Sequence, residues 1–390
     1  MRVSCRIAAF ASTVILSAGV THANYQLDTT YDTTNFFNDF NFFTGKDPTK
    51  GFVEYVDGQT ANKEGLAKSS PGGIFMGVDH QTKNPPNGRK SVRVTSKKSF
   101  THGLFVADIA HMPGNICGTW PAFWMLGPGW PESGEIDILE GVNAQTQNVI
   151  TLHTKPGCRM SNEGTIPSTQ FASPDCGASG ASAGCGQRTS DTQAYGDGFN
   201  SMGGGVYATE WTSDHIAVWF FSRSRIPQDI TSQNPNPSGW GPPTARFVGG
   251  SSCIIDHYFK NHQIVFDTTF CGDWAGAPQV WNSDPKCSAL APTCKDYVAG
   301  NPDQFANAFW MVKSVKVYQQ RSGNGQPSAP PAVQPQPAQV QPSTGTQPSK
   351  PAAQLPPPSR QGKSWDGQVW NGGGWHAKRE DGAFAKRFTA

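Results

Sequence analysis

The sequence GEIDILEG, residues 134–141, contains three carboxylates within an apolar run. Successive side chains of a β-strand point to opposite faces, so Glu135 and Asp137 share one face while the isoleucines take the other. Strict alternation would place Glu140 with the isoleucines. One extra residue, a β-bulge at Ile138–Leu139, returns Glu140 to the face of the other two acids. The sequence therefore predicts a bulged strand with three carboxyl groups on one surface.

Three carboxyl groups this close together indicate acid–base chemistry. When all are charged they repel, so at least one pKa rises and one group stays protonated near neutrality. Glycoside hydrolysis needs one carboxyl that donates a proton and another that attacks or activates water. The alternative is an edge strand whose charges discourage aggregation. Against it, no Lys or Arg lies between Ala110 and Lys155, and the aromatic run Trp120–Leu126 precedes the acids.

The two ends of the chain differ from its middle. Residues 1–23 are predicted to be a signal peptide, because Arg2 and Arg6 precede the apolar run Ile7–Val20. Residues 321–363 are rich in Pro and Gln and predict a disordered linker. Residues 364–390 form a basic tail with three tryptophans, which we interpret as disordered rather than as a sugar-binding module. One domain of residues 24–320 remains.

Charge and hydropathy restrict the partners of this domain. Residues 24–322 carry 22 basic and 26 acidic side chains, a net charge of about −4. Nucleic acid and anionic membrane are therefore poor partners, whereas a neutral polysaccharide suits the domain. Beyond the signal peptide, no stretch approaches the roughly 20 apolar residues of a membrane span. We expect a secreted, extracellular monomer without a membrane anchor.

The domain is predicted to be all-β. Several segments alternate apolar and polar residues as half-buried strands do. The candidate strands are Ser91–Thr95, Leu104–Ile109, Asn148–Thr154, His215–Phe221, Gln263–Thr268 and Phe309–Tyr318.

Cysteine usage agrees with secretion. Eight cysteines follow the signal peptide, an even set that suits four disulfides of undetermined pairing. They are Cys117, Cys158, Cys176, Cys185, Cys253, Cys271, Cys287 and Cys294. No CxxC pair occurs, so we expect neither a zinc site nor any other metal or cofactor.

The segment TWPAFWMLGPGWPESGEIDILEGVN (119–143), followed by TLHT (151–154), resembles the signature of glycoside hydrolase family 16. Its ExDxxE spacing is that of laminarinases and related endo-β-1,3-glucanases. Residues 47–55, 207–211, 271–276 and 314–319 resemble the fungal branch of the family, so the likeness extends from about Tyr25 to Gln319. The resemblance implies a β-jelly roll of two curved antiparallel sheets, with the glucan on the concave sheet.

The resemblance also implies catalytic roles. Glu135 is expected to be the nucleophile, and Glu140 the general acid and then the general base. Asp137 is expected to tune the pKa values of both. His153, in the TLHT match, is expected to support the acids beside Glu140.

Five further residues are candidates for binding sugar. Trp120, Trp124 and Trp274 could stack on pyranose rings, although ordinary core burial is an almost equal alternative for Trp124. Tyr55 and Asn143 are weaker candidates for hydrogen bonds to sugar hydroxyls.

These observations predict a retaining endo-β-glucanase that acts on β-1,3-glucans such as laminarin, with mixed β-1,3(4)-glucan as a further substrate. A wall transglycosylase of the same family is the first alternative, and the bulged spacing counts against it. The second is a β-glucan-binding protein without activity, and the retained glutamates count against that. The sequence GASAG (180–184) fits the serine-hydrolase motif G-x-S-x-G, but it lies in a Gly/Ala/Ser loop between Cys176 and Cys185.

Overall fold

Two antiparallel sheets of eight strands each make up the fold. The computed structural model describes residues 25–177 and 184–320. The predicted signal peptide, linker and tail, and four of the five residues of the GASAG loop, lie outside the described residues. The predicted all-β jelly roll of two antiparallel sheets is confirmed.

The strands are numbered in chain order. They are β1 (Tyr25–Tyr31), β2 (Phe40–Phe42), β3 (Val53–Tyr55), β4 (Ala67–Ser70), β5 (Gly73–Met76), β6 (Arg89–Ser91), β7 (Arg93–Ser96), β8 (Gly103–His111), β9 (Thr119–Leu126), β10 (Glu135–Glu140), β11 (Val149–His153), β12 (Gln170–Phe171), β13 (Cys185–Arg188), β14 (Gly205–Trp211), β15 (His215–Ser222), β16 (Ala245–Val248), β17 (Gln263–Phe270) and β18 (Trp310–Gln320).

The acids lie on a central strand of one sheet. That sheet has the order β12-β13-β11-β10-β9-β17-β7-β2, and we call it the acid sheet. The other, the back sheet, has the order β16-β15-β14-β8-β18-β5-β4, with β1 also paired to β18. A separate parallel pair joins β3 to β6. Each of the six predicted strands lies on an observed one, except that Ser91–Thr95 is divided at Val92 between β6 and β7.

Short helices connect the strands, and within the described ranges none exceeds seven residues. The α-helices are α1 (Phe36–Asp39), α2 (Gly58–Lys63), α3 (Gly196–Ser201), α4 (Gln228–Thr231), α5 (Ile255–Tyr258), α6 (Gly272–Ala275), α7 (Pro278–Ser283), α8 (Pro285–Ser288) and α9 (Cys294–Gly300). Single 3₁₀ turns occur at Thr192–Ala194, Arg223–Arg225, Pro237–Gly239, Gly250–Ser252 and Pro302–Phe305. No helix of the described part is long and apolar enough to cross a membrane.

The main core lies between the two sheets. Ile136 and Leu139 of β10 are fully buried there, beside Phe123 of β9 and Phe266 of β17, whose rings stack at 4.5 Å. Burial of each such side chain stabilises the fold by about 1.5–3 kcal/mol. The apolar half of the acid strand therefore anchors it, which leaves the carboxyl half free for chemistry.

Four disulfides form, as the even cysteine count predicted. They are Cys117–Cys287, Cys158–Cys253, Cys176–Cys185 and Cys271–Cys294. The first and last tie the helical segment 272–300 to the ends of β9 and β17, next to the acid sheet. In the described residues, no group of three or more His, Cys, Asp or Glu side chains is arranged to hold a metal ion.

Candidate active site

The predicted bulge is present in β10. Asp137 lies opposite Trp124 of β9 and Leu139 opposite Phe123, so Ile138 is an extra residue without a cross-strand partner on β9. Both Ile138 and Leu139 are fully buried in the core. Glu140 consequently lies opposite Ala122, on the same face as the two earlier acids. The bulge prediction at Ile138–Leu139 is confirmed.

Cross-strand register places the acids in three rows on the outer face of the acid sheet, since directly opposite residues of an antiparallel pair point the same way. The first row is His153, Glu135, Leu126 and Gln263; the second is Thr151, Asp137, Trp124 and Val265; the third is Glu140, Ala122, Asp267 and Arg93.

Glu135 is half-buried at one end of this constellation. It accepts a hydrogen bond from the indole Nε1 of Trp130, a partly exposed residue in the turn between β9 and β10. Burial raises the pKa of Glu135 to about 8, and the negative charge of Asp137 adds to the rise. The bond from Trp130 acts in the opposite direction because it favours the carboxylate. The reasoning from sequence missed Trp130, although it lies only five residues before Glu135.

Asp137 is the buried acid of the three, with 2% of its surface exposed. Burial raises its pKa to about 8, while a hydrogen bond from Glu135 lowers it. Its Oδ2 lies 3.3 Å from Nε2 of His153. His153 therefore pairs with Asp137 and lies opposite Glu135 in the β10–β11 ladder, and its expected supporting role beside Glu140 stays a prediction.

Glu140 is half-buried at the other end. Its Oε1 accepts a hydrogen bond of 2.8 Å from Nε1 of Trp120. Burial raises the pKa of Glu140 well above its usual range, and the charge of Asp137 raises it further. Because the pKa values of Glu135, Asp137 and Glu140 are all raised, the three acids together retain protons near neutral pH, as general acid catalysis needs.

Asn148 is a second residue that the sequence reasoning missed. Its Oδ1 accepts a hydrogen bond of 2.9 Å from the backbone N–H of Glu140, and its Nδ2 donates one of 2.9 Å to the carbonyl of Ile138. The side chain therefore spans the bulge. Nothing in its local sequence distinguishes it from a polar residue at the start of a strand.

The predicted aromatic residues border the acids. Trp120 contacts Trp274 edge-on, with ring centroids 5.4 Å apart. Trp124 packs with Ala122 and Val265 in a small cluster on the outer face, separate from the core between the sheets. Its Nε1 donates to Oδ1 of Asp267 at 3.1 Å. The site therefore brings together all three predicted tryptophans, whose stacking on sugar stays a prediction.

Tyr55 reaches the same surface through Asp267. Its hydroxyl donates to Oδ2 of Asp267 at 2.9 Å, so Tyr55 and Trp124 each bind one carboxylate oxygen. Burial raises the pKa of Asp267 to about 6, and the guanidinium of Arg93 opposes that rise. Arg93 is itself held between the rings of Phe43 and Trp124, 4.8 Å from each centroid.

Asn143 is buried, and both ends of its amide contact backbone. Oδ1 accepts from the N–H of Gly118 at 2.9 Å, and Nδ2 donates to the carbonyl of Ala275 at 3.0 Å. These bonds connect the segment after β10 to α6. A direct sugar contact by Asn143 stays a prediction that this geometry does not favour.

A family model described as "XgeA-like, catalytic GH16 domain" matches residues 40–318. An endo-1,3(4)-β-glucanase of Arthroderma benhamiae is 44% identical over 311 residues, which cover 78% of this chain and 67% of the relative. The endo-1,3(4)-β-glucanase xgeA of Emericella nidulans is 42% identical over 327 residues, 80% of this chain and 51% of the relative. In six further curated relatives the chain spans 41–46% of the relative's length.

Two solved structures share the fold. One is described as an elongating GH family 16 β-1,3-glucosyltransferase, 42% identical, with a TM-score of 0.70 over 76% of this chain and 100% of that one. The other is laminarinase 16A of Phanerochaete chrysosporium, with 6-O-glucosyl-laminaritriose in its donor and acceptor sites. It is 40% identical, with a TM-score of 0.71 over 76% of this chain and 100% of that one.

Proposed function

The chain belongs to the XgeA-like catalytic domains of glycoside hydrolase family 16, and from that membership we propose that it is an endo-β-glucanase. Its substrate would be β-1,3-glucan such as laminarin, with mixed β-1,3(4)-glucan as a second. The observation that carries the proposal is the bulged strand, which places Glu135, Asp137 and Glu140 on one face. The indole N–H groups of Trp130 and Trp120 donate hydrogen bonds to Glu135 and Glu140, respectively.

The reaction would proceed by double displacement. Glu140 protonates the leaving glycosidic oxygen while the carboxylate of Glu135 attacks the anomeric carbon to form a glycosyl ester. The negative charge of Glu135, which raised the pKa of Glu140, disappears in that ester. The pKa of Glu140 is therefore higher before this step, when Glu140 must hold its proton, and lower after it, when Glu140 must act as an ionised base. It then removes a proton from the water that releases the sugar.

Asp137 and His153 would support this reaction by controlling the ionisation of Glu135 and the orientation of Asp137. Glu135 donates a hydrogen bond to Asp137, and transfer of that proton to Asp137 would leave Glu135 ionised as the nucleophile. His153 contacts Asp137 from β11 and limits the orientations of its carboxyl group.

Transfer to a sugar hydroxyl is the second candidate reaction. It uses the same glycosyl-enzyme, with a sugar rather than water as acceptor. The β-1,3-glucosyltransferase of known structure is 42% identical to this chain, which supports this candidate. Family membership alone therefore does not determine whether water or a sugar is the acceptor. Longer oligosaccharides formed from laminarihexaose at high concentration would establish transfer, and only shorter ones would establish hydrolysis.

We also propose that the protein is secreted and acts as a monomer in the extracellular space or at the cell wall. Four disulfides support this location, since such bonds persist in oxidising compartments. Sedimentation of the secreted protein would test the monomer.

The decisive experiment compares Glu135→Gln and Glu140→Gln with the control Glu64→Gln on laminarin, lichenan and cellulose. Glu64 is a surface carboxylate that pairs with Lys90 at 2.6 Å. Both site variants should stop releasing reducing sugar while keeping the fold, and the control should match the wild type. Undiminished activity in either site variant, or cleavage of cellulose alone, would overturn the assignment. Proton NMR of the first anomer released would test retention.

A further inference from the structure

The pairing of β10 with β11 ends just before the bulge. The last opposed residues are Asp137 and Thr151, so the carbonyl of Ile138 and the N–H of Glu140 have no strand partner on that edge. The side chain of Asn148, one residue before β11, supplies both missing partners at 2.9 Å each. A carboxamide carries the same donor and acceptor as a peptide group, so it can replace one across a gap in the ladder.

Every polar group of this side chain is engaged. Nδ2 has a second contact of 3.3 Å with the hydroxyl of Tyr207, which itself donates to the carbonyl of Ala194. The amide orientation is determined by its partners, since the N–H of Glu140 can only donate and the carbonyl of Ile138 can only accept. Asn148 is fully buried, so it cannot reach a sugar in the cleft. Any effect of Asn148 on the reaction must therefore act through β10.

We propose that Asn148 is a positioning residue, which holds the bulge at Ile138 and thereby directs the carboxyl group of Glu140. The inference rests on the proposed role of Glu140 as acid and base. Without the amide, the N–H of Glu140 and the carbonyl of Ile138 are buried without partners, and the bulge relaxes to regain them. Glu135 lies before the bulge, on the ordered part of the ladder opposite His153. The change should therefore displace Glu140 and spare Glu135.

The first test is Asn148→Leu, assayed on laminarin. A displacement of about 1 Å in a catalytic group lowers the rate by about 100-fold, so kcat should fall by about that factor. KM should stay within about threefold, because the residues that contact sugar are unchanged.

The second test separates displacement of Glu140 from general damage to the site. An oligoglucoside with a 2,4-dinitrophenolate leaving group needs no proton from Glu140, so the burst of dinitrophenolate should remain fast in Asn148→Leu. Added azide should then accelerate turnover. It attacks the anomeric carbon of the glycosyl-enzyme, forms a C–N bond as the ester C–O bond breaks, and returns the carboxylate to Glu135. Neither effect is expected if Glu135 is displaced as well.

Gln187 offers a matched control. It is also fully buried, and its amide also bridges backbone: Nε2 donates to the carbonyl of Arg246 at 2.7 Å, and Oε1 accepts from the N–H of Arg246 at 3.2 Å. Gln187→Leu therefore removes an equivalent pair of bonds away from the bulge. It should lower the melting temperature comparably and leave kcat and the azide response at wild-type values.

Several outcomes would contradict the proposal. A folded Asn148→Leu with unchanged kcat, or one that loses the dinitrophenolate burst together with laminarin activity, would overturn it. Asn148→Asp keeps an acceptor for Glu140 and loses the donor for Ile138, so it should show the same pattern as Asn148→Leu. If neither variant folds while Gln187→Leu does, Asn148 serves the fold alone and the proposal is wrong. Failure of the wild-type protein to cleave laminarin would refute the proposed function instead.

Discussion

The indole Nε1 of Trp120 on β9 donates a 2.8 Å hydrogen bond to Oε1 of Glu140 on the adjacent strand β10. The bond favours the ionised carboxyl and so limits the rise in the pKa of Glu140 that burial causes. Trp120 is therefore an electrostatic partner of the acid as well as a candidate for sugar stacking.

Trp120→Phe should shift the alkaline limb of the activity profile upwards. It keeps a ring and removes the hydrogen bond, so the pKa of Glu140 rises and the protonated acid persists to higher pH. Loss of a hydrogen bond to a charged group corresponds to about one pH unit. The pH dependence of kcat/KM on laminarin measures the shift. Trp281→Phe, whose indole donates to the carbonyl of Ala291, is the control and should leave the limb in place.

Glu135→Gln should stabilise the fold at alkaline pH. The pKa of Glu135 is about 8 in the folded protein and 4.5 ordinarily. The contribution of Glu135 to the free energy of unfolding is therefore fully present below pH 4.5 and is lost as pH rises towards 8. The amide avoids that loss. The melting temperature of the variant should therefore exceed that of the wild type at pH 8 by about 2 °C or more, and match it at pH 4. Glu64→Gln should show no such crossover.

His262 should make the fold sensitive to acid. It is fully buried, 2.7 Å from the carbonyl of Ser133, and burial lowers its pKa from 6.5 to about 4. Because the pKa of His262 is lowered, its contribution to the free energy of unfolding is fully present above pH 6.5 and is lost as pH falls towards 4. His262→Gln keeps a donor without titrating, so its stability relative to the wild type should increase between pH 7 and pH 4. A constant difference across that range would contradict this, and the exposed His80→Gln is the control.

The disulfides should contribute unequally to stability. Cys117–Cys287 joins residues 170 positions apart and Cys176–Cys185 residues nine apart. Loop-closure entropy predicts that the first bridge stabilises the fold by about 4–5 kcal/mol when the other three bridges are intact and shorten its loop. For the second bridge it predicts about 3 kcal/mol. Denaturant unfolding of the two double Cys→Ser variants measures the difference. A larger loss from the shorter loop would contradict the prediction.

Much of the site could be predicted because its signal is local. Glu135, Asp137 and Glu140 fall within six residues, and the period of two along a strand decides which face each occupies. The bulge followed from the same alternation, since only an extra residue places all three acids together. Tyr55 and Asn143 were harder to interpret, because a polar side chain in a sequence does not reveal whether its partner is a sugar, Asp267 or a backbone group.

The all-β class, the bulged acid strand and the number of disulfides could be predicted from the chain, because strand periodicity and cysteine parity are properties of the amino-acid sequence. The tertiary structure decided which cysteines pair, that His153 contacts Asp137, and that Trp130 and Asn148 support Glu135 and Glu140. These contacts depend on how turns close and where a ladder ends beside the bulge. The sequence pattern of a single strand contains no information about its neighbours' register, so only the folded sheets specify them.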